Sequence, residues 1–233
     1  MQQENNQYGS LQILIAAVNE EPGIGLTINE LFANLGNQRI LIIDGNSYDK
    51  TAEVARDSGA EILYQKGKGK GHALFQGLKH TGFYANYIVL IDADYTYPAR
   101  YIPVMVDILN KNPQIGMVCG NRFNTNLDRK SLRGPFYFGN KLISIAHNIL
   151  NGINLHDPLT GLRVIRAEIL RDRTIKSKGF DIEVELNHLV KTKGFSIVEI
   201  PIKYRPRLGE KKLKIKDGAT ILKRIFKEIL ISK

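Results

Sequence analysis

The sequence predicts an α/β fold with a mainly parallel central sheet flanked by helices, and three observations carry that prediction. Short apolar runs of strand length alternate with amphipathic stretches of helix length through the first 120 residues. Gly, Pro, Asn and Asp punctuate the alternation. Polar residues gather at the carboxyl ends of the apolar runs, where parallel sheets bind ligands.

Residues 11–18 form the first apolar run. A Pro/Gly turn at 22–25 follows, then an amphipathic helix over 27–35. The rhythm repeats as strand 39–44 and helix 50–58, strand 61–64 and helix 70–81, strand 87–92 and helix 99–111, before an apolar strand at 115–120. After Gly120 the pattern changes to a polar loop reaching Gly134, a helix at 136–151, a strand at 160–166, a helix at 180–193 and a strand at 196–204. There is no internal repeat, low-complexity linker or composition shift, so one continuous domain over 1–233 is expected, with a boundary between its halves near residue 120.

With 233 residues and 43% hydrophobic content the chain can bury a substantial core, which excludes wholesale disorder. Lys and Arg number 33 against 23 Asp and Glu, a formal charge of +10 that favours an anionic partner. A nucleic-acid module is the partner class least supported, because no interleaved aromatic and basic pattern or recognition helix accompanies the charge. Cys119 is the single cysteine and lies in an apolar run, pointing to core packing and a reducing, cytoplasmic compartment. Residues 1–10 lack the apolar stretch of a secretory signal, and no segment reaches the ~20 apolar residues of a membrane span, so a soluble or peripheral protein is expected. His72, His80, His147, His156 and His188 show no metal-ligand spacing.

The strongest local signal is Asp92-Ala93-Asp94, directly after an apolar strand. Two carboxylates one residue apart at a strand end can grip a hard divalent cation bridging phosphates. The same pair can also simply turn the chain and cap the helix at 99–111. Asp44 ends the second strand in Asp44-Gly45-Asn46-Ser47, where it can accept hydrogen bonds from a nucleotide or serve a tight turn, with Asp49 or Ser47 capping the next helix.

Taken in order, Asn19-Glu20-Glu21, Asp44-Gly45-Asn46-Ser47 and Asp92-Ala93-Asp94 resemble family 2 glycosyltransferases of the dolichol-phosphate mannose synthase group. Further matches follow in family order: Gly120-Asn121-Arg122, Asp157-Pro158-Leu159-Thr160-Gly161-Leu162-Arg163, Ser177-Lys178-Gly179-Phe180, and Pro201 through Arg207 with Lys211-Lys212-Leu213. The resemblance covers roughly residues 11–213.

It implies a Rossmann-like, GT-A type nucleotide-sugar-binding fold, with 11–120 as the donor half, 121–213 as the acceptor half and an inverting transfer. It further implies Mg²⁺ or Mn²⁺ held by Asp94 with Asp92 as the donor-binding companion, while Thr96 stands where a glutamine often helps bind metal. Glu20 and Asp44 would contact the nucleoside, with Ala16, Val18 and Ala93 along the donor. Lys178, Arg207 and Lys212 would reach the diphosphate. Arg122 and Arg133 would receive an acceptor phosphate. Lys66-Gly67-Lys68-Gly69-Lys70-Gly71 lacks the Walker spacing and is read as a flexible loop bordering the donor cleft. Ala16-Ala17-Val18 replaces the usual Pro-Thr-Tyr and Gly45 a second aspartate, which bears on donor choice.

The expected reaction moves mannose from GDP-mannose to a polyprenyl or dolichyl phosphate. UDP-glucose is the alternative donor, and a non-catalytic nucleotide-sugar-binding subunit is the alternative of another class. Residues 218–231 form an amphipathic helix with a basic rim, open to two readings: a membrane interface or packing on the body. Because polyprenyl chains reside in the bilayer, either this helix or a separate membrane protein would bring the chain to the cytoplasmic face of a membrane.

Overall fold

The computed structural model describes residues 10–82, 84–123, 135–171 and 173–231, with the side chains of 135–140, 215–216 and 229–231 left aside. The predicted loop at 124–134, with Arg133, lies outside the described residues. Strands β1 (Leu11–Ala17), β2 (Arg39–Asp44), β3 (Glu61–Tyr64), β4 (Tyr87–Leu90), β5 (Ile115–Asn121), β6 (Arg163–Arg166) and β7 (Ser196–Pro201) form one seven-stranded sheet. Their order is β3-β2-β1-β4-β6-β5-β7. All neighbours are parallel except at β6, which runs antiparallel to both β4 and β5. The expected mainly parallel sheet is therefore present, joined to the second half of the chain through one reversed strand.

Alternation within each strand sends side chains to opposite faces. Leu11, Ile13, Ile15 and Ala17 of β1 enter one core layer, beneath α1 (Glu21–Leu35), α2 (Thr51–Asp57) and α4 (Ile102–Lys111). Leu14, Leu41, Ile43, Ile88 and Leu90 enter the other, beneath α3 (Lys70–Thr81), the short α6 (Ala167–Leu170) and α7 (Ile182–Thr192). A third cluster joins α5 (Pro135–Asn151), α7 and α8 (Ile215–Ile231) through Ile143, Val184, Ile221 and Ile225. α8 thus packs Ile221 and Ile225 on the body of the protein, in line with the packing reading, while Phe226 stays exposed.

One expectation needs correcting. The Pro/Gly segment 22–25 is not a turn but the opening of α1, which starts at Glu21 with Pro22 in its first turn. Proline has no N–H to lose there, and its fixed φ suits the first helical positions. Gly23 belongs for a packing reason: a Cβ at this position would sit 2.9 Å from the backbone of Ala93 and Asp94. The helix can therefore press directly against the Asp92-Ala93-Asp94 segment. Smaller differences lie at element ends, since β7 stops at Pro201 and β6 begins only at Arg163.

Candidate active site

β1 is flanked by β2 on one side and β4 on the other, so the chain leaves β1 in both directions and opens a crevice beyond their carboxyl ends. A cavity of about 440 Å³ lies there, within the ~300–1,000 Å³ usual for small-molecule sites. Of the expected donor residues, Ala16, Val18, Glu20, Asp92, Ala93, Asp94, Arg207 and Lys212 line it, as does Arg122. The resemblance had distributed these over most of the chain, and the fold brings them to one space.

Each carboxylate is held differently. Asp94 is buried, and its Oδ1 accepts from the Thr96 hydroxyl at 2.6 Å and the Thr96 N–H at 3.2 Å. Its Oδ2 accepts from Arg207 Nη1 at 2.5 Å. The same guanidinium donates through Nη2 to Glu20 Oε1. Asp92 Oδ1 accepts from Lys70 Nζ at 2.7 Å, and Lys70 also reaches Glu183 Oε1 at 2.8 Å. Gly161 makes room for Asp92, because a Cβ there would lie 2.3 Å from Asp92 Oδ2.

The environment separates these acids. Burial pushes the Glu20 carboxyl up to about 7, with Arg207 pulling against the rise and the Asp94 charge adding to it. Burial and the neighbouring Asp92 charge likewise raise Asp94. Burial also opposes ionisation of Asp92, but Lys70 outweighs it and holds that carboxyl below its usual range. Asp92 is therefore the settled anion, whereas Glu20 and Asp94 gain most from added positive charge.

Arg122 leaves the end of β5 and is gripped along one edge by Asp157, Nε to Oδ2 at 2.6 Å and Nη2 to Oδ1 at 2.7 Å. The Asp157 backbone N–H in turn donates to Glu199 Oε1 at 2.7 Å. The loop carrying Asp157 is fixed from beneath by Arg163, which is fully buried and donates to the carbonyls of Thr160 at 2.9 Å and Pro158 at 2.6 Å. Tyr97 adds its hydroxyl as acceptor for the Gly161 N–H at 2.7 Å. The Asp157–Arg163 motif thus builds a rigid floor that aims Arg122 and seats Asp92.

Backbone strain marks the rim. Asn19, Asn46 and Tyr95, each beside a site residue, have φ of 51°, 61° and 63°. Tyr95 is the costliest, since bulky residues rarely adopt this region. Its ring lies 4.2 Å from the Arg205 guanidinium, which forks onto Glu30 at 2.6 and 2.7 Å. Arg205 and Leu208 N–H groups donate to the Thr96 and Asp94 carbonyls, so residues 205–208 are strapped across the aspartate pair.

Three expected residues stand elsewhere. Asp44 is buried outside the cavity lining, its carboxylate accepting from the Ser47 hydroxyl at 2.5 Å and N–H at 3.0 Å, while neighbours Ile43 and Gly45 line the cavity. Asp49, not Ser47, accepts from Thr51 at the start of α2. Thr96 is buried behind Asp94 and orients it, rather than facing the cavity. The Lys178 side chain is exposed and outside the lining, while its carbonyl accepts from the His72 N–H at 3.2 Å. Lys70, Glu183, Tyr204 and Lys211 line the cavity without having been singled out. Lys70 belongs to the glycine-lysine stretch at 66–71, and Tyr204 and Lys211 to motifs that resemble the family, but nothing local marks Glu183.

Among the described residues, six cationic side chains and four carboxylates line the cavity, an excess of positive charge suited to a polyanionic ligand. Among the described residues no group of three or more His, Cys, Asp or Glu closes a metal cage. An open pair of aspartates fits a different ligand style, in which Mg²⁺ takes one or two carboxylates and completes its shell with substrate phosphates. Glu20 Oε2, buried beside this pair without a hydrogen-bond donor, is one further oxygen that fits such an ion.

The family model for glycosyl transferase family 2 matches residues 12–174. The chain is 32% identical over 195 residues to glycosyltransferase AglJ of Haloferax volcanii, covering 84% of this chain and 63% of that protein's length. It is 30% identical over 226 residues to a dolichyl-phosphate hexose transferase of the same organism, covering 96% of this chain and 95% of that one. A dolichol-phosphate mannosyltransferase of Pyrococcus furiosus is 27% identical over 235 residues, 93% of this chain and 63% of the other. In structure, glucosyl-3-phosphoglycerate synthase of Mycobacterium tuberculosis, solved with Mn²⁺, UDP and phosphoglyceric acid, superposes with a TM-score of 0.72 at 19% identity, over 96% of this chain and 78% of that one.

Proposed function

This chain belongs to glycosyl transferase family 2, with a GT-A fold, and from that premise we propose that it transfers a hexose from a nucleoside diphosphate sugar to a polyprenyl phosphate of the dolichyl type. The observation that carries the reading is one cavity in which Glu20, Asp92 and Asp94 face Arg122, Arg207, Lys211 and Lys212. Two anionic ligands must meet there, a diphosphate and an acceptor phosphate, and cations on both sides lower the cost of bringing them together.

Arg207 and Lys212 bind the donor diphosphate, and Asp94, supported by Asp92, would hold Mg²⁺ or Mn²⁺. A divalent ion bound there supplies charge that stabilises the leaving nucleoside diphosphate. Thr96 fixes the Asp94 rotamer through its hydroxyl. Arg122, locked by Asp157, orients the acceptor phosphate, with Arg133 as a second expected contact. A phosphate oxygen is already ionised near neutral pH, so the attack that inverts the sugar carbon needs no general base. Asp44 acts through the turn that shapes the nucleoside end, and Lys178 through its backbone.

GDP-mannose is the donor of this reading; the mannosyltransferase relative supports the sugar, and the base is the one that the resemblance implies. UDP-glucose is the second reading, because the superposing synthase was solved with UDP. No helix among the described residues is long and apolar enough to cross a membrane. Peripheral association with the cytoplasmic face of a membrane, directly or through a membrane-protein partner, is the corresponding proposal. The apolar side chains left exposed on α5, namely Leu142, Ile145 and Ile149, support direct contact.

The test is transfer of radiolabelled sugar from GDP-mannose and from UDP-glucose into extractable polyprenyl phosphate, with Mn²⁺ or Mg²⁺, by wild type and Asp94→Asn. Label in the lipid phase, reduced about 10²-fold or more in the variant, is expected. Undiminished transfer by Asp94→Asn overturns the metal assignment, and absence of lipid label with either donor overturns the acceptor.

A further inference from the structure

Resting on the divalent-ion reading above, we infer that Arg207 and the metal compete for the same carboxylate, so that donor binding and metal binding are coupled through the movement of this one side chain. Asp94 has two oxygens. Oδ1 already receives the Thr96 hydroxyl and N–H, and Oδ2 receives Arg207. A divalent ion on Asp94 therefore meets a guanidinium already seated on that carboxylate, and like charges at this distance in a partly buried site repel strongly.

Arg207 is built to leave. Its Nε is buried without an acceptor, and its second partner, Glu20, keeps a buried Oε2 without a donor, so the pairing satisfies neither group completely. It sits on the segment that continues through Gly209 (φ 80°) to Lys211, Lys212 and Leu213, all on the same cavity. A diphosphate offers the planar guanidinium fork of Arg207 a bidentate anion of higher charge than a carboxylate. Drawing the guanidinium onto the phosphates uncovers Asp94 Oδ2, the oxygen with which this residue would hold a divalent ion. Metal without nucleotide is disfavoured by Arg207, and nucleotide without metal leaves Asp94 and Glu20 unneutralised. Each ligand thereby tightens the other, reciprocally.

The experiment is Mn²⁺ binding to the full chain, followed by the loss of the free-ion paramagnetic signal, for wild type and Arg207→Gln, each with and without GDP or UDP. Without nucleotide, Arg207→Gln is expected to bind Mn²⁺ on the order of tenfold more tightly than wild type, and the gain on adding nucleotide is expected to shrink correspondingly. The double variant Arg207→Gln/Asp94→Asn should lose the gain, and Arg207→Lys, a single point charge, should fall between and serves if the glutamine variant does not fold. Equal Mn²⁺ affinity of wild type and both Arg207 variants without nucleotide overturns the coupling while leaving the transferase reading intact. No Mn²⁺ binding by any of them, even with GDP and UDP, overturns the metal reading itself.

Discussion

A missing side chain does as much at this site as any charged one. Gly161 lies against Asp92 so closely that Cβ and carboxylate cannot share the space, and the floor beneath is pinned by Tyr97 and Arg163. Gly161→Ala should therefore push the Asp92 carboxylate off Lys70 instead of moving the floor. A fall of about 10-fold or more in kcat is expected, since small misplacements at a reacting centre are costly. Stability should fall only by the order of the 1–3 kcal/mol typical of overpacking. Steady-state kinetics beside a denaturant titration checks both, and a variant that loses stability but keeps kcat would mean that Asp92 does not depend on this contact. Asp94 shows the same logic from the other side: the carboxylate was legible in the sequence, but its partners Thr96 and Arg207 lie two and over a hundred residues away.

Among the elements, α8, for which the sequence leaves membrane contact and packing open, is tied to the body, and α5 carries an exposed apolar stripe. Ile221 and Ile225 of α8 pack against Ile143 and Val184 while Phe226 stays exposed, and Arg224 on the same helix is buried against Asp181 at 3.0 Å and Glu228 at 3.1 Å. A helix tied by a buried ion pair to α7 is not free to roll onto lipid, because separating the pair leaves uncompensated charge. α5 instead presents Leu142, Ile145 and Ile149, three and four residues apart on one exposed stripe beside exposed Lys141. Leu142→Glu/Ile149→Glu should reduce sedimentation with anionic vesicles several-fold while leaving nucleotide binding unchanged. Unchanged vesicle binding would remove α5 from the membrane contact.

For the whole molecule, pH acts on stability through a buried histidine that the chemistry does not use. The Asn187 amide orientation is fixed because its Oδ1 accepts from Arg163 at 2.6 Å, so Nδ2 faces His147 Nε2 at 3.2 Å. Asn148 Oδ1 lies 3.3 Å from His147 Nδ1, which makes the neutral Nδ1–H tautomer the one that satisfies both sides. Burial holds this imidazole down at about 4, Asn148 opposing the fall and Arg163, His188 and Lys191 adding to it. A base whose folded value is depressed contributes stability above its unfolded value near 6.5, and that contribution is lost as pH falls from there towards 4. The loss is on the order of 3 kcal/mol. Urea titrations from pH 7.5 to 4 should show a shallower decline for His147→Gln than for wild type, and parallel curves would refute the assignment.

Local patterning along the sequence sets the layered α/β architecture, because hydrophobic periods of two and 3.6 are local properties that survive any arrangement of the elements. It likewise sets which groups are available, since Asp92-Ala93-Asp94, Arg122 and Arg207 supply carboxylates and guanidiniums wherever they fold, while the burial that raises Asp94 comes from the fold. Which of these groups meet is set by the fold. Lys70 neutralises Asp92 with Glu183, although 113 positions separate Lys70 from Glu183. Thr96 serves Asp94 and not the cavity, the 22–25 segment is helix and not turn, and Arg207 closes over Asp94. These pairings depend on strand order and on close backbone approaches at Gly23 and Gly161, which bring distant residues within hydrogen-bond range and leave no periodic trace along the chain.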